Sequence, residues 1–440
     1  MAIRMLSILF TIVLSGYAHA QSICLNLFDS MPSRSEYNRE SYEKWDPEGK
    51  YDFREDNPGK LKSSIEEINR AIESGELHRD RLIESGIVEI KDTQKITIIS
   101  KKGDPVPVEF YEYRLASIGT SLYVPVKSIH ADHQVIMLML PGTGSNNSTG
   151  KTMIPVSQAF TKNSHKKKDL KSQLGDEFVN GQVQLGIRAY TLILDPPGNG
   201  GFGVKAADWF TTAEGNMLTL EHARLVIKEL IDSSRPLVVA GRSQGGLQAM
   251  AYAQWAGFEK GVIGAIAVNP SGNDRANIVT SVKIHEDMFE GKGGSLDAIL
   301  SANDNTVIDP KMWLSYRIHT EDYKVEGPSQ AVITLMYSKQ DVSYDMRYYE
   351  PWAKQVMSGK EDGQLLRTPD ELQAPHDLWS RDFQDNLKQY PGETAAEFKE
   401  RQEQNQRTQQ IFEWSTGHTA KTIERALTKF NAWLKQQNQP

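Results

Sequence analysis

The chain has 440 residues, of which 39% are hydrophobic and 24% charged, as in an ordinary globular protein. Its formal net charge of -7 argues against nucleic acid or an anionic membrane as the main partner. One cysteine, Cys24, excludes an intrachain disulfide, and the length fits either one elaborated domain or two.

The first 20 residues have the pattern of a secretory signal peptide. A positive end, "MAIR", precedes the apolar run "MLSILFTIVLSG", which is too short to span a membrane, and "AHA" offers a small-residue cleavage site. We expect cleavage between Ala20 and Gln21, a secreted or periplasmic protein, and no transmembrane anchor. Residues 21–85 then predict a polar extension with one helix, which begins at the capping box of Ser64 and Glu67.

From Ile87 onward the pattern predicts a mostly parallel sheet. Two alternating segments near 87–116 indicate antiparallel strands. Five nearly continuous apolar runs then indicate parallel strands buried on both faces, with amphipathic helices between some of them. These runs are "VIMLML" (135–140), "YTLILD" (190–195), "PLVVAG" (236–241), "GAIAVN" (264–269) and "AVITLMY" (331–337). We therefore predict an α/β domain over residues 86–436.

Two stretches interrupt this pattern. Residues 271–329 contain aromatic side chains in short helical pieces, and residues 346–408 are dominated by Gln, Glu and Lys. We interpret the first as a cap inserted above the substrate pocket and the second as a polar insertion. For the aromatic residues of the cap, burial in a small helical subdomain is an equal alternative.

Two glycine-rich loops resemble nucleotide-binding motifs but lack essential features. "PGTGSNNSTGKT" has Ser145 where the first glycine of a phosphate-binding P-loop must stand. "GNGGFG" (198–203) matches a dinucleotide pattern, but Asp195-Pro196-Pro197 separate it from its strand and no helix opens inside it. "HADH" (130–133) offers two histidines without a third ligand at suitable spacing. We predict no cofactor and no metal.

The third loop, "GRSQG" (241–245), matches the G-x-S-x-G nucleophile elbow. It lies between a buried apolar run and an amphipathic helix, where Ser243 would be exposed on a sharp turn. Glycines would flank the serine because the turn brings neighbouring backbones too close for a Cβ atom. The helix that follows would place a positive dipole beside developing negative charge.

A nucleophilic serine needs a base and a group that orients the base. Asp341 follows the run 331–337, and His418 stands after Gly417 in an apparent turn before the last amphipathic helix. Asp274 and Asp345 remain alternatives for the acid. His376, in "APHDLW", is the alternative base, although no helix pattern follows it directly.

With Ser243, an acid and a histidine in that order, the chain resembles the α/β-hydrolase superfamily over roughly residues 85–436. The resemblance implies an oxyanion hole from the backbone N–H groups of Gln244 and Thr143, in the loop that begins at Pro141. It also implies a largely structural role for "DPPGNGG".

These features predict an exported serine hydrolase that acts on a small or lipid-like carboxylic ester through the triad Ser243, Asp341 and His418. A serine peptidase on the same fold is an alternative. A binding protein that retains a hydrolase scaffold is another, because a fold does not guarantee a function.

Overall fold

A computed structural model of the chain describes residues 58–90, 94–99, 105–115, 120–126, 129, 131, 133–142, 189–195, 213–231, 233–272, 323–341, 343–344, 346–379, 389 and 391–438. The predicted signal peptide, Cys24, the loop 198–203 and most of the predicted cap lie outside these residues. Within them, no helix combines the length and the apolar character that crossing a membrane requires.

The secondary structure begins with two helices and four strands. The helices are α1 (Pro58–Glu73) and α2 (Arg79–Glu84), and the strands are β1 (Val88–Ile90), β2 (Gln94–Ile99), β3 (Pro105–Leu115) and β4 (Thr120–Pro125). All four strands are joined by antiparallel pairing, as expected from the alternating segments near 87–116.

The rest of the chain alternates strands and helices. The strands are β5 (Val135–Leu140), β6 (Ala189–Asp195), β7 (Leu237–Arg242), β8 (Val262–Val268), β9 (Val332–Tyr337) and β10 (Gln364–Arg367). The helices are α3 (Ala213–Leu230), α4 (Gln244–Ala256), α5 (Met346–Met357) and α6 (Ala395–Gln437). The five apolar runs thus become β5 to β9, each within two residues of its predicted bounds.

The ten strands form one sheet. Neighbouring strands follow the order β1-β3-β4-β6-β5-β7-β8-β9-β10, and β2 also pairs with β3. The six strands from β6 to β10 along this path are parallel. A mostly parallel sheet with helices on both faces, entered through antiparallel strands, confirms the predicted α/β-hydrolase fold.

Alternate side chains of each central strand enter different halves of the core. In β5, for example, Leu138 packs on the same face as α1, α3, α4 and α5, whereas Met137 packs on the face covered by α6. Because both faces are buried, neither can be polar, which explains the continuous apolar runs.

The start of α1 differs from the prediction. The helix begins at Pro58, not at a capping box of Ser64 and Glu67, because proline is well suited to the first turn of a helix. A complete capping box is present elsewhere, at Thr394 and Glu397, where α6 begins. The buried Ile65 and Ile72 pack α1 into the core of the sheet, so the described part of the extension 21–85 belongs to that core.

The range predicted as a polar insertion, 346–408, contributes an element of the central sheet. Its first part forms α5 and then β10, which pairs in parallel with β9 from Gln364 opposite Thr334 to Arg367 opposite Tyr337. The interpretation of this whole range as an insertion is therefore wrong. The loop that follows β10 lies at the same edge of the sheet as the loops after β7, β8 and β9.

Candidate active site

Ser243 occupies a strained turn between β7 and α4. Its backbone angles are φ 51° and ψ −126°, a conformation that is unfavourable for any residue with a side chain. The surrounding backbone fixes it: the Ser243 N–H donates to the Val268 carbonyl at 2.9 Å, and its carbonyl accepts from Gly246 N at 3.0 Å. The strain is thus supported by the neighbouring strand and helix, and the half-buried side chain stands at the edge of the sheet.

The glycines around Ser243 are required by close backbone contacts. A Cβ atom on Gly241 would lie 2.2 Å from the Gly245 carbonyl oxygen, and one on Gly245 would lie 2.3 Å from the Pro141 oxygen. A Cβ on Gly142 would lie 3.1 Å from the Ser243 Cβ. The start of the predicted oxyanion loop, Pro141-Gly142, therefore lies directly against the nucleophile turn.

Asp341 forms a short hydrogen bond with His376. The Asp341 Oδ2 accepts from His376 Nδ1 at 2.6 Å, and Asp341 Oδ1 accepts from the Ser343 N–H at 2.8 Å. The carboxylate is buried, whereas the imidazole remains 30% exposed. With Nδ1 donating to a carboxylate, Nε2 on the other side of the ring is the nitrogen that can accept a proton.

Tyr344 contacts both Ser243 and His376. Its hydroxyl donates its one proton to the Asn269 carbonyl at 3.0 Å, so the 3.4 Å contact with Ser243 Oγ is one in which the serine donates. Its ring meets the His376 ring edge to face at 5.3 Å between centroids. Burial, and then the charge of Asp341, raise the pKa of Tyr344 well above its ordinary value, so the phenol stays protonated. No sequence pattern pointed to this residue.

His418 does not lie in a turn, and the contact with Asp341 is made by His376. Gly417 and His418 lie in the interior of α6, where the His418 ring packs on Trp414 at 4.8 Å. Burial, then the positive charges of Lys421 and Arg425, lower the pKa of His418. His418, the histidine predicted from the sequence, is therefore not the one that bonds to Asp341.

Gly417 before His418 suggested a turn in "STGHT", a segment that also contains one serine and two threonines. In α6 their hydroxyls instead bond to carbonyls one turn earlier: Thr416 donates to Phe412 at 2.6 Å and Thr419 to Ser415 at 2.9 Å. The helix continues through Gly417. A signal for His376 was present in "QLLR", a short run between Gly363 and Pro369 that becomes the last strand before this histidine.

The remaining predicted site residues are only partly described. Gln244 occupies the first position of α4, directly after Ser243, which is the position predicted for an oxyanion donor. Thr143, Asp274 and Asp345 lie outside the described residues, as do the cap aromatics Phe289 and Trp313.

A mostly buried ion pair joins the two sides of the site. Arg242, the residue before the nucleophile, pairs with Asp377, the residue after His376. Asp377 also accepts from the Trp379 N–H at 3.0 Å, which shapes the loop around the histidine. The nucleophile turn and the histidine loop are therefore linked by charge as well as by packing.

Among the described side chains, no group of three or more His, Cys, Asp and Glu residues could hold a metal ion. Of the pair in "HADH", His133 is buried with its ring edge-on to Tyr190, 5.4 Å between centroids, and its carbonyl accepts from Arg235 Nε at 2.5 Å. His130 lies outside the described residues.

Comparison with known proteins finds only distant structural likenesses. No family model matches the chain, and no curated protein matches it in sequence. An esterase from Pyrococcus furiosus is 13% identical with a TM-score of 0.37, over 65% of this chain and 83% of that one. A putative aryl esterase from Burkholderia cenocepacia is 13% identical with a TM-score of 0.35, over 65% and 93%.

A third structure, acetyl xylan esterase 1 from a Thermoanaerobacterium species, is 13% identical with a TM-score of 0.33, over 66% of this chain and 82% of that one. Because these likenesses are so remote, we base the chemistry of this chain on its own residues.

Proposed function

We propose that this protein is a serine hydrolase that cleaves carboxylic esters through an acyl-enzyme, with Ser243 as nucleophile, His376 as base and Asp341 as the orienting acid. The observation that carries the proposal is the 2.6 Å Asp341–His376 hydrogen bond, which lies beside the strained serine turn and shares Tyr344 with it. The order along the chain, serine then acid then histidine, is that of α/β hydrolases.

In the first half of the reaction, His376 Nε2 takes the proton of Ser243 while Oγ attacks the ester carbonyl carbon. Asp341 holds the Nδ1 proton and stabilises the positive imidazolium. The oxyanion forms beside the N-terminus of α4, where the Gln244 N–H and the helix dipole favour negative charge. The Thr143 N–H is the second donor we propose. Collapse of the intermediate expels the alcohol, which takes the proton from His376.

In the second half, His376 removes a proton from water as the water attacks the acyl-enzyme. The carboxylic acid leaves and Ser243 recovers its proton. We favour esters over peptides because an alkoxide is expelled more readily than the corresponding amide anion.

Labelling with a fluorophosphonate probe tests the proposal. The folded wild-type protein should react at one serine, and Ser243→Ala should not react while it retains wild-type stability. Turnover should fall by at least about a thousandfold in Ser243→Ala, as triad residues act as a unit. A variant that keeps more than about a tenth of wild-type turnover would exclude Ser243 as the nucleophile.

The substrate class is tested by a panel of p-nitrophenyl esters and peptide anilides given to the purified protein. We expect ester cleavage to exceed anilide cleavage. A preference for anilides would favour the peptidase, and failure of the folded protein to label at all would favour a binding protein on a hydrolase scaffold.

We also propose that the protein is exported and that its mature form begins at Gln21. The charge, apolar run and cleavage pattern of residues 1–20 support this. Mass spectrometry of the mature N-terminus is the test, and an intact Met1 on the functional protein would contradict it.

A further inference from the structure

Asn269 lies at the centre of the candidate site, although no role was predicted for it from the sequence. It follows β8 directly, is completely buried, and has φ 40°, a left-handed conformation that asparagine tolerates better than most residues. Its neighbours along the sheet edge are Ser243 after β7 on one side and the Asp341 loop after β9 on the other.

The side chain of Asn269 joins the loop of the acid to the loop of the base. Its Oδ1 accepts from the Ser338 N–H at 2.8 Å, where the chain leaves β9 toward Asp341. Its Nδ2 donates to the His376 carbonyl at 2.6 Å. One amide group therefore fixes the two backbones whose side chains form the Asp341–His376 hydrogen bond.

The backbone of Asn269 extends this network toward the nucleophile. Its N–H donates to the Met336 carbonyl at 2.7 Å, at the end of β9. Its carbonyl accepts the Tyr344 hydroxyl at 3.0 Å, and the same hydroxyl contacts Ser243 Oγ. Each of the four polar groups of Asn269 thus bonds to a segment that carries, or touches, a member of the triad.

No other side chain meets these requirements equally well. The site needs one donor and one acceptor on a short stem, in a buried place and at positive φ. Aspartate lacks the donor, serine has a single polar atom, and glutamine is longer by a methylene group. The geometry of its two side-chain hydrogen bonds therefore explains why an asparagine occupies this buried position.

We propose that Asn269 is a positioning residue that sets the spacing of His376, Asp341 and Ser243. The inference rests on the proposed function, since it assigns Asn269 to the same triad. Loss of the side chain should leave substrate binding intact but allow the two loops to separate. Because catalysis depends on sub-ångström placement of reacting groups, turnover should fall by about ten- to a hundredfold.

The primary variant is Asn269→Gly, which removes both side-chain bonds and is compatible with the positive φ. We expect a loss of kcat of at least about tenfold with KM within about threefold. The downfield NMR resonance of the His376 Nδ1 proton, expected from its short bond to Asp341, should shift or disappear. Asn269→Asp keeps the acceptor for Ser338 and loses the donor to His376, so it should show the same loss if the glycine variant fails to fold.

Gln373→Gly is the matched control, because Gln373 has φ 46° in the same histidine loop but is exposed. Its kcat and its resonance should stay at wild-type values. A kcat within about twofold of wild type in both Asn269 variants would overturn the inference. A large loss with the His376 resonance unchanged would do so too, since the side chain would then not act through His376. Either result, with Ser243→Ala inactive, would leave the hydrolase proposal standing.

Discussion

Arg242, which precedes Ser243, forms an ion pair with Asp377, which follows His376. Neither residue takes part in the proposed chemistry, yet together they join the turn after β7 to the loop after β10. The two partners are 15% and 16% exposed, so the pair is shielded from much of the solvent screening that weakens surface ion pairs.

Asp377→Asn should therefore lower the free energy of unfolding by about 1 to 3 kcal/mol, because the remaining Arg242 charge loses its partner in a mostly buried place. Asparagine keeps an oxygen for the Trp379 N–H. Urea unfolding of Asp377→Asn, Arg242→Gln and the double variant should give a coupling energy of about 1 kcal/mol or more.

The matched control for that cycle is Asp370→Asn. Asp370 pairs with Arg367 at 3.4 Å just before the same loop, but the two side chains are 55% and 44% exposed. We expect no measurable change in stability there. Additive effects at Arg242 and Asp377 would show that their pairing does not stabilise the loop.

The choice of base is tested by comparing two histidines. His376→Ala should lower kcat about as much as Ser243→Ala, and combining the two should add little, because the residues act as a unit. His418→Ala should stay within a few-fold of wild type, since its ring packs on Trp414 in the interior of α6. Steady-state ester hydrolysis measures both, and the opposite ranking would return the role to His418.

Crowding of the nucleophile is tested by Gly142→Ala. The added methyl would lie 3.1 Å from Ser243 Cβ and 3.7 Å from Oγ, so the serine must shift by a few tenths of an ångström. We expect kcat to fall about tenfold or more, since the reacting oxygen is displaced. Thermal unfolding should change little by comparison.

Gly417→Ala is the control for that substitution. Among the described residues, no atom other than those of its chain neighbours and the backbone of α6 lies within 4 Å of its added Cβ. The site is in the interior of α6, so stability should rise by about 0.5 to 1 kcal/mol at unchanged kcat. Wild-type turnover in Gly142→Ala would show that the carbonyl of the substrate does not approach along this side of Ser243.

A pH-dependent contribution to stability is expected from His222. This histidine of α3 is completely buried and bonds through Nδ1 to Asn69 Oδ1 of α1 at 2.9 Å. Burial lowers its pKa from 6.5 to about 4. Between pH 6.5 and about pH 4, the unfolded chain therefore binds a proton at His222 that the folded chain does not bind. The free energy of unfolding falls as the pH decreases through this range.

Between pH 7 and pH 5 this effect amounts to about 2 kcal/mol. Urea unfolding at both pH values should show that the wild type loses about this much more stability than His222→Gln. The exposed His78→Gln should behave like the wild type. Equal pH dependence in the wild type and His222→Gln would mean that the folded protein accommodates a protonated His222 between α1 and α3.

The central strands were predictable because both of their faces are buried, which leaves a continuous apolar run in the sequence. The serine turn was predictable because close backbone contacts demand glycine at Gly241 and Gly245. Asp341 was predictable as an acidic residue shortly after a buried strand. The fold and two of the three proposed triad residues thus followed from local patterns.

The base did not follow from local patterns. The edge strand β10 has four residues and none is fully buried, so its apolar signal is limited to Leu365 and Leu366. Without that strand, His376 had no place in the sheet, whereas His418 had a glycine before it and an amphipathic helix after it. Tyr344 and Asn269 are identified by contacts that span from 32 positions, between Tyr344 and His376, to 107 positions, between Asn269 and His376, which no local window contains.

From β7 to β10, neighbours in the sheet are also consecutive strands along the chain. This half of the sheet can therefore grow during folding by the addition of one strand at a time to an existing edge, without threading a strand between two others. The β4–β6–β5 region requires the opposite, because β6 lies between β4 and β5, which both precede it along the chain. Addition in this order would bring the serine turn, Asn269, Asp341 and His376 to the sheet edge in that sequence, so the proposed triad would be complete only after β10 joins.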